Sequence, residues 1–181
     1  MTYYGASELA RSFRTVRGNT LRIAEEIPET GYDYRPTPDS RSVKEILAHI
    51  LVSSMGSYRG HAVRKITTFV GVDFAALIKE RLEQEQQRVA ASKALLIDEL
   101  RADGEKWVAY LESMIEEEFA VSIPFPEPAV PPAKSRFEML LSVKEHEMHH
   151  RAQLMVLERL LGLVPHLTRE RQARMAQSSG R

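Results

Sequence analysis

Apolar residues recur in steps of three and four along most of the chain. Leu9, Phe13, Val16, Thr20, Ile23 and Ile27 form one stripe over roughly five helical turns. Pro28 and Gly31 stop it, and YDYRPTPDSRS, with Pro36 and Pro38, reads as a loop. Ser42-Val43-Lys44-Glu45 has the capping-box form and opens a second helix over about 43–65, carrying Ile46, Leu47, Ile50, Leu51 and Ser54. Gly71 and Asp73 interrupt the pattern. Residues 75–90 (AALIKERLEQEQQRVA) predict a short charged helix with a solvated face. Ser92 is the expected cap of a long helix whose apolar face bears Leu96, Leu100, Trp107, Leu111 and Met114. Gly104 lies on that face and leaves room beside it. Pro124, Pro126, Pro128, Pro131 and Pro132 make 121–134 an extended linker, since neither helix nor interior strand tolerates them. The last long helix is predicted from near Ser135 to Gly162, with Pro165 preventing continuation.

Four long amphipathic helices without a convincing strand set predict an all-α four-helix bundle over residues 1–165. Two connections, about 66–91 and 118–134, are longer than hairpins need, so at least one is expected to be a crossover. Residues 166–181 are expected to form a short C-terminal helix or a frayed tail.

Composition narrows the function classes. A chain of 181 residues with 43% hydrophobic and 28% charged residues can build one ordinary core. Lys+Arg and Asp+Glu are 25 each, so no broad cationic surface for nucleic acid is expected. Cysteine is absent, which excludes disulfides, thiolate zinc sites, Fe–S clusters and a cysteine nucleophile. No apolar run approaches a membrane span. The start of the chain has charged residues where a signal peptide would have its apolar region, so a cytoplasmic protein is expected.

The chemistry concentrates on the last long helix. Met139, Val143, His146, His150, Gln153 and Leu157 share a stripe at 100° per residue. Its ends are apolar and its middle is two imidazoles and an amide. His146 and His150, four apart, can point at one atom, a geometry suited to a d-block cation. The alternative is a pair of buried histidines satisfied by carboxylates and carbonyls. His149 sits at the edge of the stripe. Among the other histidines, His166 follows Pro165 beyond the helix end and is poorly placed, and His61 is near the end of the second helix. His49 lies inside the second helix on a line with the small residues Ser42, Ser53, Gly56 and Gly60. It can project into the bundle beside an open groove, and is favoured as the third ligand.

His49 in EILAHI, followed far later by HEMHHRAQ, resembles the DinB-like (damage-inducible) superfamily, which includes metal-dependent thiol transferases. The segment YDYRPTPDSRSVKEILAHI is also similar to the family's stretch between its first two helices. The resemblance covers about residues 6–165, with Ala152 where the family commonly has glycine. It implies a four-helix bundle in up-down-down-up order, often a homodimer. It also implies one divalent transition metal, such as Zn, Ni or Fe, on His49, His146 and His150.

Three neutral imidazoles leave a +2 cation an open position that can hold a thiol as thiolate or lower the pKa of water. Since the chain has no cysteine, a nucleophilic sulfur must come from a low-molecular-weight thiol. The expected reaction is transfer of that thiol to an electrophile, both entering past Ser53, Gly56 and Gly60. Gln153 could then hydrogen-bond the ligand. Arg151 could face an acidic group of the thiol, but it points away from the stripe, and a solvated surface role is at least as well supported. HEMHH also satisfies a zinc-peptidase pattern with Glu147 as general base, but Glu147 is expected to be a solvated surface residue. A di-metal carboxylate site matches poorly, because Glu45 and His49 are four apart rather than three. A non-catalytic metal-binding stress-response protein is the remaining alternative.

Overall fold

The computed structural model describes residues 4–179. Its helices are α1 (Ala6–Glu26), α2 (Val43–Tyr58), α3 (Phe74–Val89), α4 (Lys93–Glu112), α5 (Glu116–Ala120), α6 (Arg136–Leu160) and α7 (His166–Ser179). The caps expected from the sequence form. Ser42 Oγ accepts from the Glu45 N–H at 3.4 Å while Glu45 Oε2 accepts from the Ser42 N–H at 2.7 Å. Ser92 and Ser135 cap α4 and α6. Gly162 takes φ +81° just past α6, where a Cβ would be strained. The second helix does not run unchanged to residue 65. It passes into a π-helical turn, Arg59–Val63, anchored where the Arg136 guanidinium lies 3.3 Å from His61 Nδ1.

Pairs of residues set the helix directions. Arg14 reaches Glu112 and Arg101 reaches Glu25, so α1 and α4 are antiparallel. Phe13 clusters with Leu140, Arg17 reaches Glu147 and Ile23 clusters with Leu154, so α1 and α6 are parallel. Ser54 meets Asp103 and Tyr58 meets Trp107, so α2 and α4 are parallel. The order is therefore up-down-down-up. Parallel neighbours require the chain to travel back between them. The 16-residue α3, about 24 Å long, makes that return along α2.

The proline-rich segment is more ordered than an extended linker. β1 (Ser122–Pro124) pairs antiparallel with β2 (Ala133–Ser135), and Ile123 is fully buried. The prolines fit because this is a two-stranded ribbon with every strand at an edge. The C-terminal segment is helical to Ser179, and residues 180–181 of the expected tail lie outside the described residues. α7 is held to α1 by Arg169–Glu26 and Arg22–Glu170.

The core is divided. One apolar cluster contains Ile23, Leu47, Leu100 and Leu154, and the other contains Phe13, Trp107, Leu111 and Leu140. Between them lies an ionic layer. Arg17 is 3% exposed, Asp103 5% and Glu147 2%. The Arg17 Nε–H lies 3.0 Å from each Glu147 oxygen, and Nη1 donates to Asp103 and to the Leu100 carbonyl. Ser54 Oγ donates to Asp103 at 2.6 Å. The space beside Gly104 is filled by Arg17: a Cβ at residue 104 would lie 2.7 Å from Arg17 Cγ. Burial holds the Asp103 carboxyl above its usual range, against the lowering influence of Arg17.

Removing one partner of such a layer is costly because it leaves buried charge uncompensated. Arg17→Met is expected to lower unfolding free energy by about 3–5 kcal/mol, read from urea denaturation. A loss under about 1 kcal/mol would show that the layer contributes little.

Candidate metal centre

Three histidines meet between α2 and α6. His49 Nε2 is 3.1 Å from His146 Nε2, and His150 Nε2 is 3.2 Å from the same atom. One ligand atom from each lies within 4.8 Å of the others. His49 and His150 are buried and His146 is half-buried. The spacing of four on α6 puts His146 and His150 on one side, while α2 brings His49 across from them.

The outer nitrogens decide where the protons are. His49 Nδ1 is 2.9 Å from Glu85 Oε1 on α3, and His150 Nδ1 is 2.8 Å from Gln153 Oε1. Both oxygens accept, so both Nδ1 atoms carry hydrogen and both Nε2 atoms present lone pairs. These lone pairs converge on His146 Nε2, which can donate to only one of them. A cation satisfies all three. A tetrahedron with Zn–N bonds of 2.0–2.1 Å has edges of about 3.3–3.4 Å, close to the separations found here. The donor set fits a divalent transition metal.

Electrostatics keeps the rings ready to coordinate. Burial pushes the His146 pKa down to about 4, helped by the charged forms of His150 and His49. Burial likewise lowers His49, against its bond to Glu85, and lowers His150, against its bond to Gln153. All three rings are neutral at pH 7.

A cavity of about 630 Å³ opens beside His146, lined in part by Ser53, Gly56, Gly60, Phe69 and Met139. Of the line of small residues read from the sequence, Ser53, Gly56 and Gly60 do lie along this open space, whereas Ser42 is buried as the cap of α2.

A sequence model of the DinB superfamily matches residues 12–154. The chain belongs to the DinB superfamily. Uncharacterized protein YjoA of Bacillus subtilis is 27% identical over 161 residues, covering 87% of this chain and 91% of YjoA. The solved structure of that DinB-like protein superposes with a TM-score of 0.61 at 24% identity, covering 86% of this chain and 92% of the other. YfiT of Bacillus subtilis superposes with a TM-score of 0.70 at 17% identity, covering 90% of this chain and 91% of YfiT. YfiT is described as a probable metal-dependent hydrolase with an unusual four-helix bundle topology. At these identities the structural likeness shows the DinB fold alone.

Several residues of this DinB chain sit differently from the sequence expectation. The buried line of α6 is Leu140, Val143, Glu147, His150, Leu154 and Leu157, while Gln153 is exposed. Glu147 is not a solvated residue: its carboxylate is taken by Arg17. The alternating three-and-four spacing of that line is visible in the sequence, but a glutamate is discounted as a core position without its partner. Gln153 is engaged with His150 and with His149 rather than free for a ligand. Arg151 is half-buried, and its Nε is buried without a hydrogen-bond partner. Glu85 lies in the charged run that predicts a solvated face, yet it orients His49; no local pattern in that run marks it. Glu45 caps α2 and pairs with Arg35, so it contributes nothing to a second metal. Among the described residues no other group of three His, Asp or Glu converges in this way.

Two outcomes follow from this geometry. Glu85→Ala should weaken metal affinity by about 10–100-fold with the fold intact, measured by competition against a chelating dye. Because the imidazole pKa values are depressed, protons compete at lower pH than for exposed histidines. Occupancy in equilibrium dialysis should fall mainly between about pH 6 and pH 4, and full occupancy at pH 4 would contradict histidine-only ligation.

Proposed function

We propose that the protein holds one divalent transition metal on His49, His146 and His150 and uses it to activate a low-molecular-weight thiol for transfer to an electrophile. The observation that carries this reading is the convergence of three imidazole Nε2 atoms beside an open cavity. Held by His49, His146 and His150, a divalent cation would supply the positive charge that favours a thiolate over a thiol near neutral pH. The residues of this chain do the rest. Glu85 and Gln153 hold two rings in one tautomer and orientation. In the transfer, the S–H proton goes to solvent, sulfur bonds to the electrophilic carbon, and the leaving group departs with its electron pair. The metal is Zn, Ni or Fe, since neutral nitrogen ligands suit each of them.

The description of YfiT and the HEMHH spacing favour hydrolysis as a second reading. A peptidase would need Glu147 free as a base. The Arg17 guanidinium occupies both oxygens of Glu147, and this argues against a peptidase that uses Glu147 as its base. A cytoplasmic homodimer taking a small thiol and an electrophile as partners completes the proposal. No helix among the described residues is long and apolar enough to cross a membrane.

Elemental analysis of the untagged protein should find one metal atom per chain in the wild type and none in His49→Ala. A metal-loaded wild type should accelerate thiol addition to a chromogenic electrophile, and His150→Ala should not. Bound metal with no acceleration for any thiol would favour a non-catalytic metal protein. Unchanged rates in His150→Ala would remove the mechanism.

A further inference from the structure

The cavity beside His146 has a composition that selects its occupant. Its volume, about 630 Å³, suits a small organic molecule rather than a few waters. Three walls meet in it. α6 supplies His146 at one end, together with Met139 and Val143. α2 supplies Gly56, where an added Cβ would have nothing within 4 Å, so this wall is kept low. The third wall is Phe69, Phe74, Leu77 and Ile78, from α3 and the segment before it.

That third wall is the unusual one. α3 has no buried residue although it carries an apolar face. Leu77 is 36% exposed and Ile78 49%. The helix is held instead by polar contacts at its edge: Glu85 to His49, Glu80 to Arg59 and Arg88 to Glu99. Its apolar face therefore looks into open space, forfeiting the contacts that a close-packed helix would make. An apolar molecule in that space restores them.

Charge narrows the choice further. The carboxylates in the lining are already matched, Glu80 by Arg59 and Glu147 by Arg17. Arg64, at the exposed rim, faces no carboxylate within ion-pair distance among the described residues. A cationic ligand would find no free counter-charge, an anionic one would find Arg64, and a neutral one needs none. Water-soluble thiols carry several polar groups that this wall would leave unpaired.

We propose that this cavity binds the apolar body of a neutral or anionic small molecule whose polar head reaches the histidine site, and that this molecule is the electrophile, not the thiol. The inference rests on the metal-site reading above.

The test is calorimetric titration of the full-length protein loaded with Zn(II), using straight-chain hydroxamates from acetohydroxamate to octanohydroxamate. The shared head reports the metal and the growing tail reports the cavity. In the wild type, affinity should rise about three- to fourfold per added methylene, the equivalent of about 0.8 kcal/mol for each buried CH₂. Gly56→Phe should abolish that gain while leaving acetohydroxamate binding unchanged. Ile78→Arg, a change at a half-exposed position, should also flatten the series and covers the case that the first variant folds poorly. Acetohydroxamate binding without any chain-length gain in the wild type would overturn the cavity proposal and leave the metal site standing. Absence of acetohydroxamate binding would overturn the metal reading, and the proposal with it. A full chain-length gain in both folded variants would place the tail elsewhere and overturn the assignment of this cavity.

Discussion

One guanidinium at mid-bundle sets the rotation of the helix that carries the chemistry. Arg17 on α1 binds Glu147 on α6 and Asp103 on α4, and Ser54 on α2 closes the layer through Asp103. All four long helices are thus tied in one plane between two apolar clusters. Clamping Glu147 toward α1 has a geometric consequence at 100° per residue. His146 and His150 then lie about 100° and 60° away, both turned to the side of α2. His149 faces solvent. The histidine cluster is therefore a by-product of register as much as of residue identity.

The layer and the histidine site impose opposite demands on their surroundings. Buried charge is tolerable only when fully paired, so Arg17 is given acceptors from three helices, Glu147 on α6, Asp103 and the Leu100 carbonyl on α4 and Ser54 on α2, and a glycine at 104 that makes way for it. Converging imidazoles instead require that something is left unsatisfied, so that a cation gains by entering. Both occur within one turn of α6. Placing them side by side ties a rigid element to a site that needs accurate positioning.

α3 links the crossover topology to the site. Parallel α2 and α4 force the chain to return, and the returning helix passes over the open side of the bundle. It delivers Glu85 to His49 and leaves its apolar face over a cavity rather than a core. A sequence with an all-antiparallel order would have no need of this segment. The arrangement that forfeits packing on α3 is the one that puts an apolar chamber next to the histidines.

Much was legible along the chain. The helix starts at Ser42, Ser92 and Ser135, the stop at Gly162 and the long apolar stripes are local properties of backbone and side chain, readable without neighbours. So was the pair His146 and His150, because a spacing of four on a helix puts two side chains together whatever surrounds it. His49 could be nominated from the small residues beside it. Glu85, Gln153 in its actual role, and the burial of Arg17 and Glu147 could not. Their identities depend on partners 36 to 130 residues away, or on which way a helix is turned. A charged side chain reads as a surface residue until its counter-charge is located, and only the packing of helices against one another locates it.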